Sequence, residues 1–565
     1  MLTHTIFIFY LLIFLLSTIG YGYLFANIIF KDLKTLNFGY LGVLGFFAIV
    51  LISITSSFLF PHNFTHNIIL HAVGLVSFII NFFNETKKNF DQFKKILLIF
   101  IILIPGIYVF KNHDDFPYYH LTYALNLSEN SFMIGTGNLG HGFRTLSSVF
   151  YYHSTLYLPF IKFYLFHSGP FFILIFFNYI ILTKLIKKFK KKQIDFVYFF
   201  SLLNFTFVNV AFYRIAEHGT DRTGQILLFL TLIVLFEILF TIKSNKDKNI
   251  LFNFLLVAIL LAATMKVLFI IYFIFAPIIL YKDDFYKDYF VKKNLKIIGV
   301  LIFGFTLNLS INFFSTGCLI YPESKTCFEK FDWSVPKSEV KQMKLHYEWW
   351  AKSGGGAGYK SKIKKEDYVK NFVWLENWIE RHFFNKISDT LLGIIFIALL
   401  NIVLFWGMKK KKIPLRKVFL VNSILFLLFL EWFLRHPSMR YGGFVLFALP
   451  IFIFTSKKIE TYELKEKKVL YSSIFLVVLT LIVYNGRNIS RLNVEINNYG
   501  YNLLKSPFFN VQQVDVTTMD EKNSFKINKT VNGMCWAAPT PCTHRSHLKI
   551  KYWNGFKVII KHVVE

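Results

Sequence analysis

Two adjacent carboxylates, Asp114 and Asp115, are the residues best placed for chemistry in this sequence. They follow directly on the apolar run 96–110, which is long enough with its flank to be a membrane helix. Aromatic and imidazole groups surround them: His113, Tyr118, Tyr119 and His120. Charged side chains at a membrane edge are energetically costly, so their presence there indicates a function. A carboxylate there can act as a general base toward an acceptor hydroxyl, or it can bind a divalent cation that holds a phosphate.

Adjacent side chains point in different directions, so one of the two carboxylates is predicted to do the chemistry and the other to orient it. Asp115 stands just before Phe116-Pro117, which also suits a helix N-terminus. The simpler role of Asp115 as a helix cap therefore stays open, as does the choice between Asp114 and Asp115 as the catalytic residue.

Groups that could hold a phosphate or a sugar occur in three other places. His141 and Arg144 lie in the glycine-rich segment 135–144, whose glycines allow a ligand to approach the backbone, although the segment could be a simple connector. Lys266 lies between two apolar runs without a turn residue, where it either snorkels to the interface or binds an anion. Arg440 follows a predicted span, and a guanidinium binds phosphate oxygens in a bidentate manner.

The turn 217–222 is rich in charge for a membrane loop and supplies Arg222 as a further phosphate-binding candidate. A local ion-paired turn is an equally good interpretation of it. Tryptophans recur in the same set of loops, where they can stack on sugars or anchor at the interface. These are Trp333, Trp349, Trp350, Trp374, Trp378 and Trp536.

The elements that must position these residues are membrane helices. Hydrophobic residues make up 55% of the 565-residue chain and charged residues 17%, with a mean hydropathy of +0.47. Repeated apolar runs predict an all-α polytopic membrane protein with about fourteen transmembrane helices. The predicted spans are 5–29, 38–60, 66–83, 95–110, 169–187, 194–213, 222–242, 250–265, 267–281, 295–314, 388–407, 417–433, 441–455 and 468–484.

The lysine distribution predicts the orientation of these spans. With the N-terminus outside, every lysine block in a short loop falls on the cytoplasmic side, as the positive-inside rule requires. The net charge of +30 therefore does not indicate a nucleic-acid partner; the predicted partner is the lipid bilayer. All of the candidate binding loops fall on the opposite face, which for a bacterial-looking chain is the periplasmic face of the inner membrane.

Two domains are predicted. Residues 1–484 form the polytopic transmembrane domain, with a large extracytoplasmic loop at 315–387, and residues 485–565 form a small extracytoplasmic tail domain. Four cysteines lie in two local pairs on that face, and two disulfides or four free thiols are both compatible with the spacing. These cysteines are Cys318, Cys327, Cys535 and Cys542.

Several short segments together carry a resemblance to a known superfamily. They are Asp114-Asp115 with Tyr119-His120, Lys266, and residues 315–322, 332–336, 374–378, 440–442 and 535–542. An acidic pair in an early extracytoplasmic loop, followed by an interfacial helical segment, resembles the GT-C superfamily of membrane glycosyltransferases. The whole chain is more closely similar to a group of uncharacterised bacterial polytopic proteins related to GT-C. In GT-C enzymes the loop follows the first span, whereas four predicted spans precede it here, so the GT-C-like core would cover about 95–484.

The resemblance implies transfer of a sugar from a polyprenyl-phosphate-linked donor to an extracytoplasmic acceptor in the cell envelope. Asp114 or Asp115 would be catalytic, with Lys266, Arg222 and Arg440 on the donor phosphate. The remaining candidates, Tyr119, His120, His141 and Arg144, would contact the substrate. No organic cofactor is predicted, and a divalent cation stays open. Two other classes of function are compatible with the sequence: a transporter or flippase for a lipid-linked substrate, and a non-catalytic assembly partner for surface polysaccharide.

Overall fold

A computed structural model describes residues 2–30, 36–108, 115–217, 219–281, 284–290, 294–355, 363–409, 416–523, 525–531 and 533–561. Asp114 and His113 lie outside the described residues. The helices of the first half are α1 (Leu2–Ile29), α2 (Phe38–Ser57), α3 (Phe64–Asn84), α4 (Thr86–Leu103), α5 (Leu121–Glu129), α6 (Ser148–Ser154), α7 (Gly169–Lys190), α8 (Phe196–Ala211), α9 (Gly219–Phe240) and α10 (Asn245–Met265).

The second half continues in the same way, with a 3-10 helix at Val267–Phe275 leading into α11 and a π-helical turn at Ile379–Ile387 leading into α17. Its helices are α11 (Ala276–Leu280), α12 (Phe285–Tyr289), α13 (Leu295–Thr316), α14 (Lys337–Lys352), α15 (Lys365–Tyr368), α16 (Leu375–Trp378), α17 (Ser388–Leu404), α18 (Arg416–Arg435), α19 (Gly443–Glu460) and α20 (Glu466–Tyr499).

Polar residues between the apolar runs set where several helices begin. The Asn37 side chain accepts from the backbone N–H groups of Gly39 and Tyr40 at the start of α2, and Asp195 accepts from Tyr198 at the start of α8. Each such cap satisfies N–H groups that have no partner within the helix. The chain therefore turns at these polar capping residues, and the apolar stretches between them form helices.

Ten helices within the described ranges are long and apolar enough to cross a membrane. The structure thus shows a helical protein compatible with a multi-pass membrane protein. The other four predicted spans coincide with helical segments that are shorter or carry more charge or polar residues: α4, α8, α19, and the 3-10 helix joined to α11.

The spanning helices form a buried centre and an apolar periphery. In α10, 94% of the most apolar stretch is buried inside the protein, whereas in α13 the figure is 22%. The exposed face of α13 is apolar, with Ile302 and Phe303 among its exposed residues. Apolar side chains that face outward along a spanning helix suit contact with lipid. Glycine lets some helices approach closely: a Cβ on Gly20 of α1 would overlap the Gly74 backbone of α3.

The C-terminal part forms a small strand domain, as the sequence predicts. The hairpin β1 (Val516–Lys522) and β2 (Phe525–Thr530) is antiparallel, with Lys522 opposite Phe525, and β3 (Cys542–Thr543) runs parallel to β2. A second antiparallel hairpin consists of β4 (Leu548–Trp553) and β5 (Phe556–Lys561).

The strand domain packs on the loops that follow the fourth helix. Ile134 donates to the Lys557 carbonyl at 3.0 Å and accepts from the Ile559 N–H at 2.9 Å, so it pairs with β5 like the residue of an adjacent strand. The Thr540 hydroxyl donates to Glu129 at 2.6 Å. Buried backbone groups at this boundary are therefore satisfied by the partner element, which attaches the tail to these loops.

Candidate functional site

Asp115 directly precedes a π-helical turn, Phe116–His120, which continues into α5. Pro117 lacks an N–H and is tolerated at the start of a helix for that reason. Its carbonyl accepts from the backbone N–H groups of Cys535 and Trp536, at 3.1 and 2.9 Å. The strand domain thus holds the backbone of the turn that presents Asp115.

Arg440 links Asp115 to a second carboxylate. Its Nη2 lies 3.6 Å from Asp115 Oδ2, and its Nε donates to Asp221 Oδ2 at 2.8 Å. Burial alone would lower the pKa of the Arg440 guanidinium, but Asp221 and the other acidic groups around it raise that pKa above its ordinary value. The guanidinium is therefore a permanent cation between two carboxylates.

Lys266 completes this group from the opposite side. Its ammonium group forms an ion pair with Asp221 Oδ1 and also donates to the Arg440 carbonyl at 3.3 Å. Lys266 has an extended backbone between the end of α10 and the 3-10 helix, which explains how a lysine interrupts two apolar segments without a turn. Asp115, Asp221, Lys266 and Arg440 are called the acid–base cluster below.

Aromatic rings of two loops cover the cations of the acid–base cluster. The Arg440 guanidinium lies 5.4 Å from the centroid of the Trp350 ring, and Lys266 Nζ lies 4.3 Å from that of Tyr441. Such cation–π contacts fix the position of a cation without neutralising it. Trp350 belongs to α14, so the large loop is folded over the cluster rather than extended away from it.

Exposure divides the acid–base cluster into two halves. The side chains of Asp115 and Arg440 are 27% and 31% exposed, whereas those of Asp221 and Lys266 are 11% and 18% exposed. A substrate can therefore reach Asp115 and Arg440 directly. Asp221 and Lys266 lie behind Arg440 and position it.

Tyr119 lines the same site next to Asp115. Gly142 makes room for its ring, because a Cβ at that position would lie 2.3 Å from a ring carbon. Burial and then the charge of Asp115 raise the pKa of the Tyr119 phenol well above its ordinary value. His120 turns away from the acid–base cluster and packs on Tyr119 and Phe150, at centroid distances of 4.4 and 5.0 Å.

A second charged group surrounds Glu339 at the start of α14. Its carboxylate accepts from Arg144 at 2.9 Å, Arg545 at 3.2 Å and Lys561 at 3.0 Å. Burial would raise the pKa of Glu339, but Arg144 and Lys561 outweigh burial and lower that pKa to about 2. These four residues, called the Glu339 cluster below, join the glycine-rich segment, the large loop and the strand domain.

Tyr118, in the turn after Asp115, contacts two histidines. Its hydroxyl is hydrogen-bonded to His141 Nδ1 at 3.1 Å, and its ring lies 5.3 Å from that of His544. Burial raises the pKa of Tyr118 to about 12 and lowers the pKa of His141. His141 is therefore predominantly neutral at pH 7, and it can accept or donate a hydrogen bond at the mouth of the site.

Arg222 does not join the acid–base cluster. Although it follows Asp221 directly, it leaves α9 on another face, donates to the Arg214 carbonyl at 3.1 Å and lies over the Phe212 ring. Residues one apart on a helix diverge by about 100°. The proposed contact of Arg222 with a donor phosphate in this site is not supported by that geometry.

The four cysteines are paired locally, Cys318 with Cys327 and Cys535 with Cys542. Among the described residues, no three His, Cys, Asp or Glu side chains lie close enough together to hold a metal ion. Both oxygens of Asp221 already face cations. A divalent cation at Asp114 and Asp115 stays a prediction, because Asp114 lies outside the described residues.

Residues 4–447 match the model of a family described as a domain of unknown function, DUF8201. The chain belongs to this DUF8201 family. No curated protein and no solved structure matches it.

The DUF8201 match contains the whole acid–base cluster but ends before the strand domain. Two residues of the site that the sequence analysis did not single out, His544 and Arg545, lie beyond residue 447. Glu339, which the sequence analysis also did not single out, lies within the match. Asp221 belongs to the charge-rich turn 217–222, and its position at the start of an apolar helix was a second signal, because an acidic residue there is either a cap or a functional group.

Proposed function

We propose that this protein is a membrane glycosyltransferase that transfers a sugar from a polyprenyl-phosphate-linked donor to an extracytoplasmic acceptor. The observation that carries the proposal is the approach of Arg440 to Asp115, at 3.6 Å, with both side chains open to a substrate. A base and a phosphate-binding cation side by side are what such a transfer needs. The GT-C resemblance of the Asp114-Asp115 loop supports the same reaction class.

In the proposed reaction, Asp115 accepts the proton of the acceptor hydroxyl as the hydroxyl oxygen attacks the anomeric carbon. The bond between that carbon and the donor phosphate oxygen breaks, and the phosphate leaves with the electron pair. Arg440 binds the phosphate and stabilises the charge that develops on it. Binding of the phosphate by Arg440 also weakens the ion pair between Arg440 and Asp115, which makes the Asp115 carboxylate more basic.

The contacts among loops support the proposed orientation. Asp115, Lys266 and Arg440 come from three segments between long helices and Asp221 from the first turn of α9, and each contacts another member of the group. Their meeting is expected if all four residues lie on one face of the membrane, as a fourteen-span topology predicts. We place that face on the periplasmic side of a bacterial inner membrane, where polyprenyl-phosphate donors are presented and disulfides persist.

The rival transporter function would require ionisable groups near the middle of the spans. The described spans contain a buried ion pair between Lys184 of α7 and Glu237 of α9. Both residues lie toward the C-terminal ends of their helices, and the fourteen-span topology puts those ends at the cytoplasmic surface. The pair is therefore explained as a link between helix ends, and the enzyme remains the better-supported function.

The proposal is tested by assaying sugar transfer from polyprenyl-phosphate donors with Asp115→Asn and Asp114→Asn. Loss of a general base typically lowers turnover by about 100-fold or more. Asp515→Asn, an exposed carboxylate in the strand domain, is the matched control and is expected to keep full turnover. Full turnover in both Asp114→Asn and Asp115→Asn would eliminate a catalytic base in this loop.

A further inference from the structure

A groove with a volume of about 530 Å³ lies between the segment after α8 and the last part of α20. One wall is Tyr213 and Arg214, in the segment after α8. The other wall is the last part of α20, including Arg487 and Arg491. The mechanism proposed above uses none of these residues.

Arg487 is an accessible cation on the wall of this groove. Its Nη1 donates to the Val210 carbonyl at 2.7 Å, and its guanidinium lies 3.9 Å from the centroid of the Tyr213 ring. No carboxylate in the described part of the chain forms an ion pair with it. The side chain is held at one nitrogen and along its flat face, which leaves the opposite edge of the guanidinium available to an anion.

Arg491 lies one helical turn further along α20 and is buried, with a side chain 7% exposed. Its Nη1 pairs with Glu217 at 3.1 Å and its Nη2 donates to the Tyr108 carbonyl. Its Nε is buried and has no hydrogen-bond partner among the described residues. A buried guanidinium N–H without an acceptor is costly, and a bound anion would supply one.

The carboxylates near the groove do not neutralise Arg487. Glu217 is occupied by Arg214, which donates to both of its oxygens, and by Arg491. Glu495 is paired at 3.9 Å with Arg491. The groove thus has three arginines and two carboxylates. The positive charge in excess lies on Arg487, the accessible arginine.

The groove also lies at the depth of lipid headgroups. The predicted span of α20 ends at residue 484, and Arg487 follows three residues later, about 4.5 Å further along the helix axis. Arginine and tyrosine at this level are typical of the boundary between hydrocarbon and headgroups.

We infer that this groove binds a phosphate group at the membrane surface, as the headgroup of an anionic lipid or as free phosphate. Arg487 would contact the phosphate oxygens, and Arg491 Nε would be the buried donor. The inference does not depend on the proposed transferase activity. Arg222 supports the site indirectly, through its hydrogen bond to the Arg214 carbonyl.

The test uses the full-length purified protein in detergent and follows its thermal stability during three titrations. These add phosphatidylglycerol, phosphatidylcholine or inorganic phosphate. We expect phosphatidylglycerol to raise the melting temperature at lower concentration than phosphatidylcholine. Arg487→Gln should raise the phosphatidylglycerol concentration needed for half of the effect about tenfold, as loss of one charge-assisted hydrogen bond implies.

A second variant tests the groove without removing a charge. A Cβ on Gly486 would meet no atom within 4 Å, so Gly486→Phe can be accommodated while its ring fills the groove. It should weaken the phosphatidylglycerol effect as Arg487→Gln does. Lys505→Gln, which removes an exposed cation outside the groove, should leave the effect unchanged.

The outcomes separate the two sources of phosphate. An effect of phosphatidylglycerol alone that both groove variants weaken identifies a lipid site, and an equal effect of inorganic phosphate identifies a site for free phosphate. If neither ligand stabilises the protein in a manner that depends on Arg487 and Gly486, the inference is wrong. Sugar transfer is not measured, so this result is independent of the proposed activity.

Discussion

Arg440 and Asp221 form a 2.8 Å charge-assisted hydrogen bond between residues 219 positions apart in the chain. The bond joins the loop after α18 to the first turn of α9. It holds the guanidinium with Nη2 3.6 Å from Asp115 Oδ2. The relationship makes Asp221 a positioning residue, because it acts on the substrate side through Arg440.

Replacement of Arg440 should lower the turnover of sugar transfer strongly, even when the positive charge is kept. Arg440→Gln is expected to lower turnover by about 100-fold, the effect of losing a preorganised donor at a developing charge. Arg440→Lys should recover only part of it, because an ammonium group lacks the planar fork whose Nε and Nη2 face two different carboxylates. Arg435→Gln, which changes an exposed arginine at the end of α18, is the control. Steady-state sugar transfer measures all three, and full activity of Arg440→Lys would refute the bridging role.

Asp221→Asn should act mainly on stability. It leaves Lys266 and Arg440 largely buried without their shared carboxylate, which typically costs about 3 kcal/mol or more. The double variant Asp221→Asn with Lys266→Met should be more stable than Asp221→Asn alone, since it removes one of the stranded charges. Thermal unfolding in detergent distinguishes these cases. Equal stability of the single variant and the wild type would show that the ion pairs are not structural.

Stability of the docked strand domain should depend on pH through Glu339. Its pKa lies below the ordinary value of 4.5, at about 2, so the folded state favours the charged carboxylate. The stabilisation is present above about pH 4.5 and is lost as pH falls toward 2. Glu339→Gln should therefore flatten the decline in melting temperature over this window. Glu376→Gln, which changes an exposed carboxylate, should leave the wild-type profile in place.

The two disulfides should differ in their effect on activity. Cys535–Cys542 closes the turn whose N–H groups hold the Pro117 carbonyl, and so it supports the backbone next to Asp115. Replacing both of its cysteines with serine should lower turnover several-fold and stability by roughly 2 kcal/mol.

The matched control for that variant is replacement of Cys318 and Cys327 with serine. Their disulfide closes a loop of the large segment and makes no contact with Pro117. We expect a comparable loss of stability with a smaller loss of turnover. The same loss of turnover in both variants would mean that the Cys535 turn has no special role.

Helix positions were predictable because an apolar run in this chain has few alternatives to a membrane helix. The number of spans was harder to predict, because α8 and the Val267–Phe275 segment are too short to be assigned as spans by length alone. Asp115, Lys266 and Arg440 were singled out because a charge at the end of an apolar run is conspicuous, and the structure brings them together. Arg222 was singled out with the charge-rich turn 217–222, but its side chain donates to the Arg214 carbonyl and does not join the acid–base cluster. Sequence alone does not show which helix face a side chain occupies.

The Glu339 cluster was beyond sequence reasoning for a different reason. Glu339 is 195 residues from Arg144 and 206 residues from Arg545, and neither Glu339 nor Arg545 has an unusual local pattern. Arg545 and Lys561 join this group only through the docking of the strand domain. A tail with few apolar residues looks like an appendage in sequence, whereas here its backbone hydrogen bonds to Ile134 and Pro117 attach it to the site.

That attachment sets the order in which the site can be completed. Thr540 and Glu129 hydrogen-bond across this boundary and are 411 residues apart. The ribosome therefore adds Thr540 long after the segment that contains Glu129 has been made. During synthesis, the Asp115 turn has no partner for the Pro117 carbonyl, and Arg144 has neither Glu339 nor the arginine beside it. A nascent chain is thus expected to complete this site only after its last strands have been made.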